Sequence, residues 1–358
     1  MDSTNVNTPL SFGDILEHDI VTEKGVLLLK KGTQLRESHL HLLDHFNWDY
    51  RINYKKESDV LGQKNSQIKI EKLINDCINQ YSSILEKIKI GELPDLNGFF
   101  NGLKETYDEI KGLDNAIDVI YGFQDLDQYT YQHSVNVSLL AGLIGKIMDF
   151  SDADICLLIN MGIVHDIGKV KVDNNILNKN CSLTNQEYAE IKKHTLHGYQ
   201  LLIDILGNEK IAEGALLHHE RLDGTGYPIG KSGQNIPFLV QVISIADSFD
   251  AICTERSYHE QRSPFFAINI LIQDAVSHKL NSEVTYTFVR YLMNQYKGKK
   301  ITINNGEIGE IIYVPYDEPH KPIVRCEDRL YDLRNIMLKI VDFVDLGQKE
   351  LRSKKPTL

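Results

Sequence analysis

The run INMGIVHDIGKVKV, residues 159–172, sets His165, Asp166 and Lys169 into an otherwise apolar stretch. An imidazole and a carboxylate taken out of water need partners, and a divalent cation satisfies both at once. One such pair is weak evidence, but the pattern recurs. Six of the thirteen histidines, His133, His165, His194, His197, His218 and His219, fall between residues 133 and 219, within or at the ends of apolar helical patterns. Asp247 likewise follows the apolar QVISIA. Any one of these histidines alone reads as structural or surface-exposed; the ordered set, with Asp166 and Asp247, points to metal ligation at the centre of a helical bundle. Adjacent helical residues diverge by about 100°. His165 with Asp166, and His218 with His219, therefore suit a two-metal centre in which neighbours address different ions or Asp166 bridges them.

Such side chains need several helices to deliver them. One is expected from near Thr130, with Val137, Leu140 and Ile144 on one side; a second opens at Ser151 and a third at Thr184, where Asp154 and Glu187 stand at capping-box spacing. These lie in a helical domain over 104–297. Ahead of it, residues 1–54 read as a small mixed regulatory or interaction domain, with VLLLKKGTQL as strand and RESHLHLLDHFNW as short helix. Residues 55–103 read as a polar linker, YKKESDVLGQKNSQ, and a connecting helix, IKIEKLINDCINQYSSILEKIKI, whose apolar stripe serves either core packing or dimerisation. Residues 298–358 change period: GEIGEIIYVP and KPIVRC read as short strands of a small β-rich segment with a terminal tail. The fold class is multidomain and mainly α, with small mixed N-terminal and β-rich C-terminal appendages.

The 358 residues carry a formal charge of −11, which argues against general nucleic-acid binding while leaving room for a small anion at a local cluster of metal and basic groups. The N-terminus has no basic, apolar leader, and no segment approaches the roughly eighteen apolar residues of a membrane span. A soluble cytoplasmic chain is expected. The five cysteines are widely spaced without a CxxC pair, as free thiols in a reducing compartment would be.

Three segments, HDIGK (165–169), HHERLDGTGYP (218–228) and IADSFDA (245–251), together resemble the HD-GYP family within the HD phosphohydrolases, over approximately residues 120–280. The resemblance implies a central HD-type helical domain that hydrolyses cyclic di-GMP to linear pGpG, with slower conversion to GMP, by a metal-bridging hydroxide. It implies His133, His165, Asp166, His194, His218, His219 and Asp247 as ligands of two divalent ions, with Asp166 bridging, His165 and Asp247 on one ion and the later histidines on the other. Iron or manganese suits this nitrogen and carboxylate set, and zinc is compatible with it. Tyr129 stands where some members place a glutamate for a third metal, so two ions are expected. Lys169, near the same helical face as Asp166, either binds a phosphate oxygen or is a helix-terminal surface lysine. Asp250, three residues after Asp247, either orients water and assists proton transfer or serves as a cap or surface salt bridge. Arg256 and Lys231 are weaker phosphate contacts that could equally be solvated, and Tyr227 either supports a guanine or packs its loop. The resemblance also suggests a signalling-protein partner at the GYP loop or N-terminal domain, and a homodimer is a further expectation. Two competing readings are another HD-type nucleotide phosphohydrolase, disfavoured by the intact GYP segment, and a non-enzymatic cyclic-di-GMP sensor, disfavoured by the complete ligand set.

Overall fold

The computed structural model describes residues 13–16, 19–21, 27–45, 54–55, 57–122, 129–177, 179, 181–254 and 263–344. The chain divides into two compact units, residues 1–72 and 73–358. In the first, β1 (Ile15–Leu16), β2 (Ile20–Val21) and β3 (Leu27–Leu29) precede α1 (Glu37–His45) and β4 (Tyr54–Lys55); β1 pairs antiparallel with β4, and β2 with β3. Leu16, Ile20, Leu29, Leu35 and Leu43 close a small apolar core.

The polar stretch expected as a linker is instead, from Glu57 onward, the start of α2 (Glu57–Lys89). Polarity misled the reading: a helix can be polar all round over its first turns when the apolar face further along it is buried. Beyond them, Ile74, Cys77, Ile78, Tyr81, Ile84, Leu85 and Ile88 recur at helical spacing and are at most 8% exposed. Tyr81 stacks on Phe99 of α3 (Leu96–Ile110), with ring centroids 6.0 Å apart. The apolar stripe is therefore core within the chain.

After α4 (Ala116–Tyr121) come α5 (Tyr129–Ile147) and α6 (Asp152–Val164), the most closely packed helix pair. Ser151 caps α6, accepting from the Asp154 amide at 3.2 Å. Along α5, Val135, Val137, Leu139, Leu140, Ala141, Leu143 and Ile144 are at most 1% exposed, and the polar Gln132, His133, Ser134, Asn136 and Ser138 are buried too, so the helix is enclosed on every side. Burial of each valine, leucine or isoleucine among them contributes about 1.5–3 kcal/mol. The two backbones nearly touch: a Cβ on Gly162 would lie 2.7 Å from Ser138 Cα, and Ser138 donates its hydroxyl to Ile159 O at 2.8 Å. This contact brings His133 of α5 beside His165, which caps α6, with ring centroids 5.2 Å apart.

A 3₁₀ turn (Ile167–Lys171) follows, then α7 (Asn174–Leu177), α8 (Asn185–Lys192), α9 (His194–Leu206), α10 (Glu209–Leu217), a second 3₁₀ turn (Gly233–Asn235), α11 (Phe238–Cys253), α12 (Pro264–Val276) and α13 (Ser282–Gln295). The capping box of α8 is complete: Glu187 N donates to Thr184 Oγ1 at 3.2 Å and Thr184 N to Glu187 Oε2 at 2.7 Å. α9 presses on the first 3₁₀ turn at Gly168, where a Cβ would fall 1.9 Å from His194 O and 2.4 Å from Gly198 N. Only glycine admits that approach, which sets His194 over Asp166.

The closing strands are β5 (Lys300–Ile303), β6 (Ile308–Tyr313), β7 (Ile323–Cys326), β8 (Arg329–Asp332) and β9 (Ile340–Phe343). They form an antiparallel sheet in the order β8-β7-β6-β5-β9, docked on the helices where Phe343 meets Phe265 and Tyr296 at centroid distances of 4.8 and 4.9 Å. The architecture is thus mainly helical, with a small N-terminal β element and a C-terminal sheet. Among the described residues no helix is long and apolar enough to cross a membrane.

Gly168→Ala should lower stability by about 2–3 kcal/mol and reduce bound metal, because the neighbouring atoms are backbone and cannot rotate away. Gly102→Ala, in α3 with open space at its Cβ, should be neutral or stabilising by up to about 1 kcal/mol. Thermal denaturation with elemental analysis checks both; equal melting temperatures for the two variants would refute the close approach.

Candidate metal centre

Two groups of side chains converge within the helical layer: Asp166, His194, His218 and His219, and His133, His165 and Asp247, with potential ligand atoms in each group within 4.8 Å of one another. Asp166 belongs to both neighbourhoods. Its Oδ1 faces His194 Nε2 at 3.3 Å and His218 Nε2 at 3.8 Å, while its Oδ2 faces His165 Nε2 at 3.3 Å and His133 Nε2 at 3.7 Å. Asp247 spans the other side, with Oδ1 3.3 Å from His133 Nε2 and 3.8 Å from His165 Nε2, and Oδ2 3.9 Å from His219 Nδ1. All seven sequence-predicted ligands are brought together; His197, half-buried on α9, is outside both groups.

The backbone fixes which nitrogen each ring offers. His165 Nδ1 donates to Gly162 O at 2.6 Å, His194 Nδ1 to Ile191 O at 2.7 Å, and His218 Nδ1 to Ala215 O at 3.0 Å. A carbonyl only accepts, so Nδ1 carries a proton and Nε2 is the nitrogen turned inward. The Nε2 atoms of His194 and His218 stand 3.4 Å apart, and lone pairs facing each other at that range call for something electrophilic between or beside them. His165 Nε2 and Asp166 Oδ1 are buried with no hydrogen-bond partner. Orphaned acceptors of this kind are costly unless a cation engages them, so the donor set fits divalent metals.

Protonation agrees. Burial opposes the charge on Asp166, but Lys169, His165 and His194 hold its carboxyl well below the usual range. Burial likewise opposes Asp247, which His133, His165 and His219 hold low. Burial pushes the His218 imidazole well below its ordinary value, helped by the neighbouring His219, and takes His219 down to about 3. His133 is the exception: burial would lower it, but hydrogen bonds to Asp247 and Asp250 hold it up at about 10.

Asp250 is fully buried behind His133. It accepts from His133 Nδ1 at 2.7 Å, Tyr121 OH at 2.8 Å, Asn136 Nδ2 at 2.9 Å and Thr254 Oγ1 at 3.0 Å. Asp250, expected either to orient water and assist proton transfer or to serve as a cap or surface salt bridge, thus has no exposed surface and is surrounded by these four donors. Tyr121 and Asn136 were missed. Asn136 shares a helical face with His133, three residues on, which is a usable signal; Tyr121 carried none.

Lys169, 30% exposed, pairs its ammonium with Asp166 Oδ2 from the open side. Tyr227 lies over His219 with ring centroids 4.6 Å apart. Lys231 is half-buried beyond the GYP turn and makes no ion pair with the clustered residues, and Arg256 lies outside the described residues. The GYP turn itself is built from inside: Glu220, 2% exposed, accepts from the amides of Ile229 at 2.8 Å and Gly230 at 3.0 Å. A Cβ on Gly226 would strike His219 O at 2.5 Å. Arg221 and Ser244 bind His218 O at 3.2 and 2.7 Å, fixing the strand of chain that carries both adjacent histidines.

Residues 124–284 match the HD domain family. The chain is 29% identical over 199 residues to the cyclic di-GMP phosphodiesterase PA4108 of Pseudomonas aeruginosa, covering 55% of this chain and 48% of that protein. It is 39% identical over 130 residues to the 3′3′-cGAMP-specific phosphodiesterase 3 of Vibrio cholerae, covering 36% of this chain and 28% of that protein. The chain thus spans about half or less of the length of these relatives. Among solved structures, Bd1817, an HDG"Y"P protein from Bdellovibrio bacteriovorus, shares the fold with a TM-score of 0.53 at 18% identity, covering 79% of this chain and 94% of that one.

With its imidazole held at about 10, His133 is protonated at neutral pH before a cation arrives and must lose that proton to ligate. Manganese binding should therefore release about one proton at pH 7, and apparent affinity should rise as pH rises. Calorimetric titrations in buffers of different ionisation enthalpy measure this; heats independent of buffer would contradict it.

Proposed function

We propose that this chain, an HD-domain protein related to the HD-GYP family of phosphodiesterases, hydrolyses a cyclic dinucleotide with two divalent ions, cyclic di-GMP being the first substrate to test. The observation that carries this reading is the single carboxylate of Asp166 turned toward both groups of imidazoles. Bound divalent ions at such clusters acidify a water and offset the charge of an attacked phosphate. Asp166 would be held in common by the two sites, since its Oδ1 faces His194 and its Oδ2 faces His165. His133, His165 and Asp247 would hold one ion, and His194, His218 and His219 the other, iron or manganese suiting the mixed nitrogen and oxygen set. Asp250, through His133 Nδ1, would fix the ring's direction and raise its basicity. The Lys169 ammonium, at the open side of the centre, would donate to a non-bridging phosphate oxygen and stabilise the charge that builds there during attack.

The product would be linear pGpG, and GMP on a second cleavage. A second reading, 3′3′-cGAMP as substrate, is supported by the 39% identity over 130 residues to the Vibrio cholerae relative. A panel of cyclic di-GMP, 3′3′-cGAMP and nucleoside triphosphates, each followed to product by chromatography with the manganese- and iron-loaded chain, decides between these; hydrolysis of triphosphates alone would displace both.

Asp166→Asn keeps size but substitutes a neutral amide for the shared anion. Metal content should fall and turnover should drop by about a hundredfold or more, with circular dichroism unchanged; wild-type metal content and turnover would sink the bridging role. Lys169→Ala should retain both metals yet lose about a hundredfold in kcat/KM. Unaltered hydrolysis and ligand affinity in a fully loaded Lys169→Ala chain would return this lysine to the helix surface.

A further inference from the structure

α8 has no buried residue, so core packing does not account for it. It is held at its start, by its capping box and by the Lys179–Glu187 pair at 2.7 Å, and it runs straight into the candidate ligand His194. What it presents is Tyr188, 48% exposed, and, one turn on, the half-buried Lys192. The Lys192 ammonium lies 4.8 Å from the Tyr188 ring centroid and 5.5 Å from that of Tyr227. Tyr227 in turn lies 4.6 Å from His219 at an interplanar angle of 33°, and His219 lies 4.0 Å from His218. A run of π faces with an ammonium set into it thus leads from the metal cluster to open surface. The inner end is rigid, since Tyr227 N donates to His219 O at 3.3 Å. The outer end is an aromatic ring left in water beside a cation, the pairing by which proteins stack nucleobases next to phosphates.

We propose that Tyr188, with Lys192 beside it, is the base-stacking platform of the substrate site: one purine of the cyclic dinucleotide lies on the exposed face of Tyr188, and the adjoining phosphate lies against Lys192. This rests on the cyclic-dinucleotide reading above. Stacking uses the π face that every base has and does not tell adenine from guanine, so this side of the site admits either purine. Discrimination between cyclic di-GMP and 3′3′-cGAMP therefore falls to the other half of the substrate.

The test uses a hydrolysis-resistant phosphorothioate cyclic dinucleotide carrying 2-aminopurine in place of one base, added to the manganese-loaded full chain. Stacking should quench the fluorophore in wild type and in Tyr188→Phe, while Tyr188→Ala and Tyr188→Leu should lose the quench and about tenfold in affinity. In steady state, Tyr188→Ala should raise KM for the cyclic dinucleotide by about tenfold with kcat changed by less than about twofold. If wild type binds and cleaves cyclic dinucleotides while Tyr188→Ala keeps its quench and KM, the platform is overturned and the substrate reading stands. A wild-type chain that neither binds nor cleaves any cyclic dinucleotide overturns both.

Discussion

An anionic carboxylate in the dry middle of a helical layer costs several kcal/mol unless cations and hydrogen bonds compensate it, and much of this fold serves to compensate Asp166. Gly162 lets α5 and α6 touch, which sets His133 and His165 on one side of it. Gly168 lets α9 reach the turn that follows it, which sets His194 and, through α10, His218 on the other. Lys169, one turn away, adds a positive charge at the open edge. The apolar residues that fill α5 and α6 keep water from relaxing the field these groups make. In that medium the interaction of the carboxylate with a cation is far stronger than at the surface.

The electrostatics of the whole chain run the other way. A net charge of −11 repels a phosphate-bearing ligand at long range, but screening at physiological ionic strength confines such repulsion to about 8 Å. Close to the centre the relevant charges are local: Lys169 pairs with Asp166, and Lys192 lies over the Tyr227 ring. Charge density near the site, rather than the total, sets what can approach.

The candidate ligands were legible because histidine and aspartate inside apolar runs violate a strong rule, and each violation could be counted. The helix starts at Ser151 and Thr184 were legible because capping is a local event between residues three apart. Asp250 was half legible: its spacing from Asp247 gives the helical face, but a face read from sequence does not say whether it meets solvent or the inside of a bundle, and Tyr121 reaches it from more than a hundred residues away. The start of α2 was hidden because composition reports polarity, whereas a helix whose buried face begins at Ile70 and Ile74 can run on through a polar segment. In the C-terminal sheet β6 and β7 were visible as short apolar runs punctuated by glycine and proline; the return of β9 to pair with β5 was not, since register between distant strands is decided by packing on α12 and α13. Tyr188 belongs to no motif and acquires meaning only beside Tyr227 and Lys192.

Three of the imidazoles are steered by main-chain carbonyls three residues back, in the last turn of the helix that ends just before each ring: Gly162 of α6 for His165, Ile191 of α8 for His194 and Ala215 of α10 for His218. Any helical turn supplies such a carbonyl, whatever side chains surround it. The aim of these rings is accordingly encoded in helix geometry rather than in a set of co-adapted neighbours, which leaves the surrounding sequence free to drift and makes each turn a portable cassette. A designed bundle would inherit the same ring direction by placing a histidine at the last turn of a helix whose axis points at the intended centre.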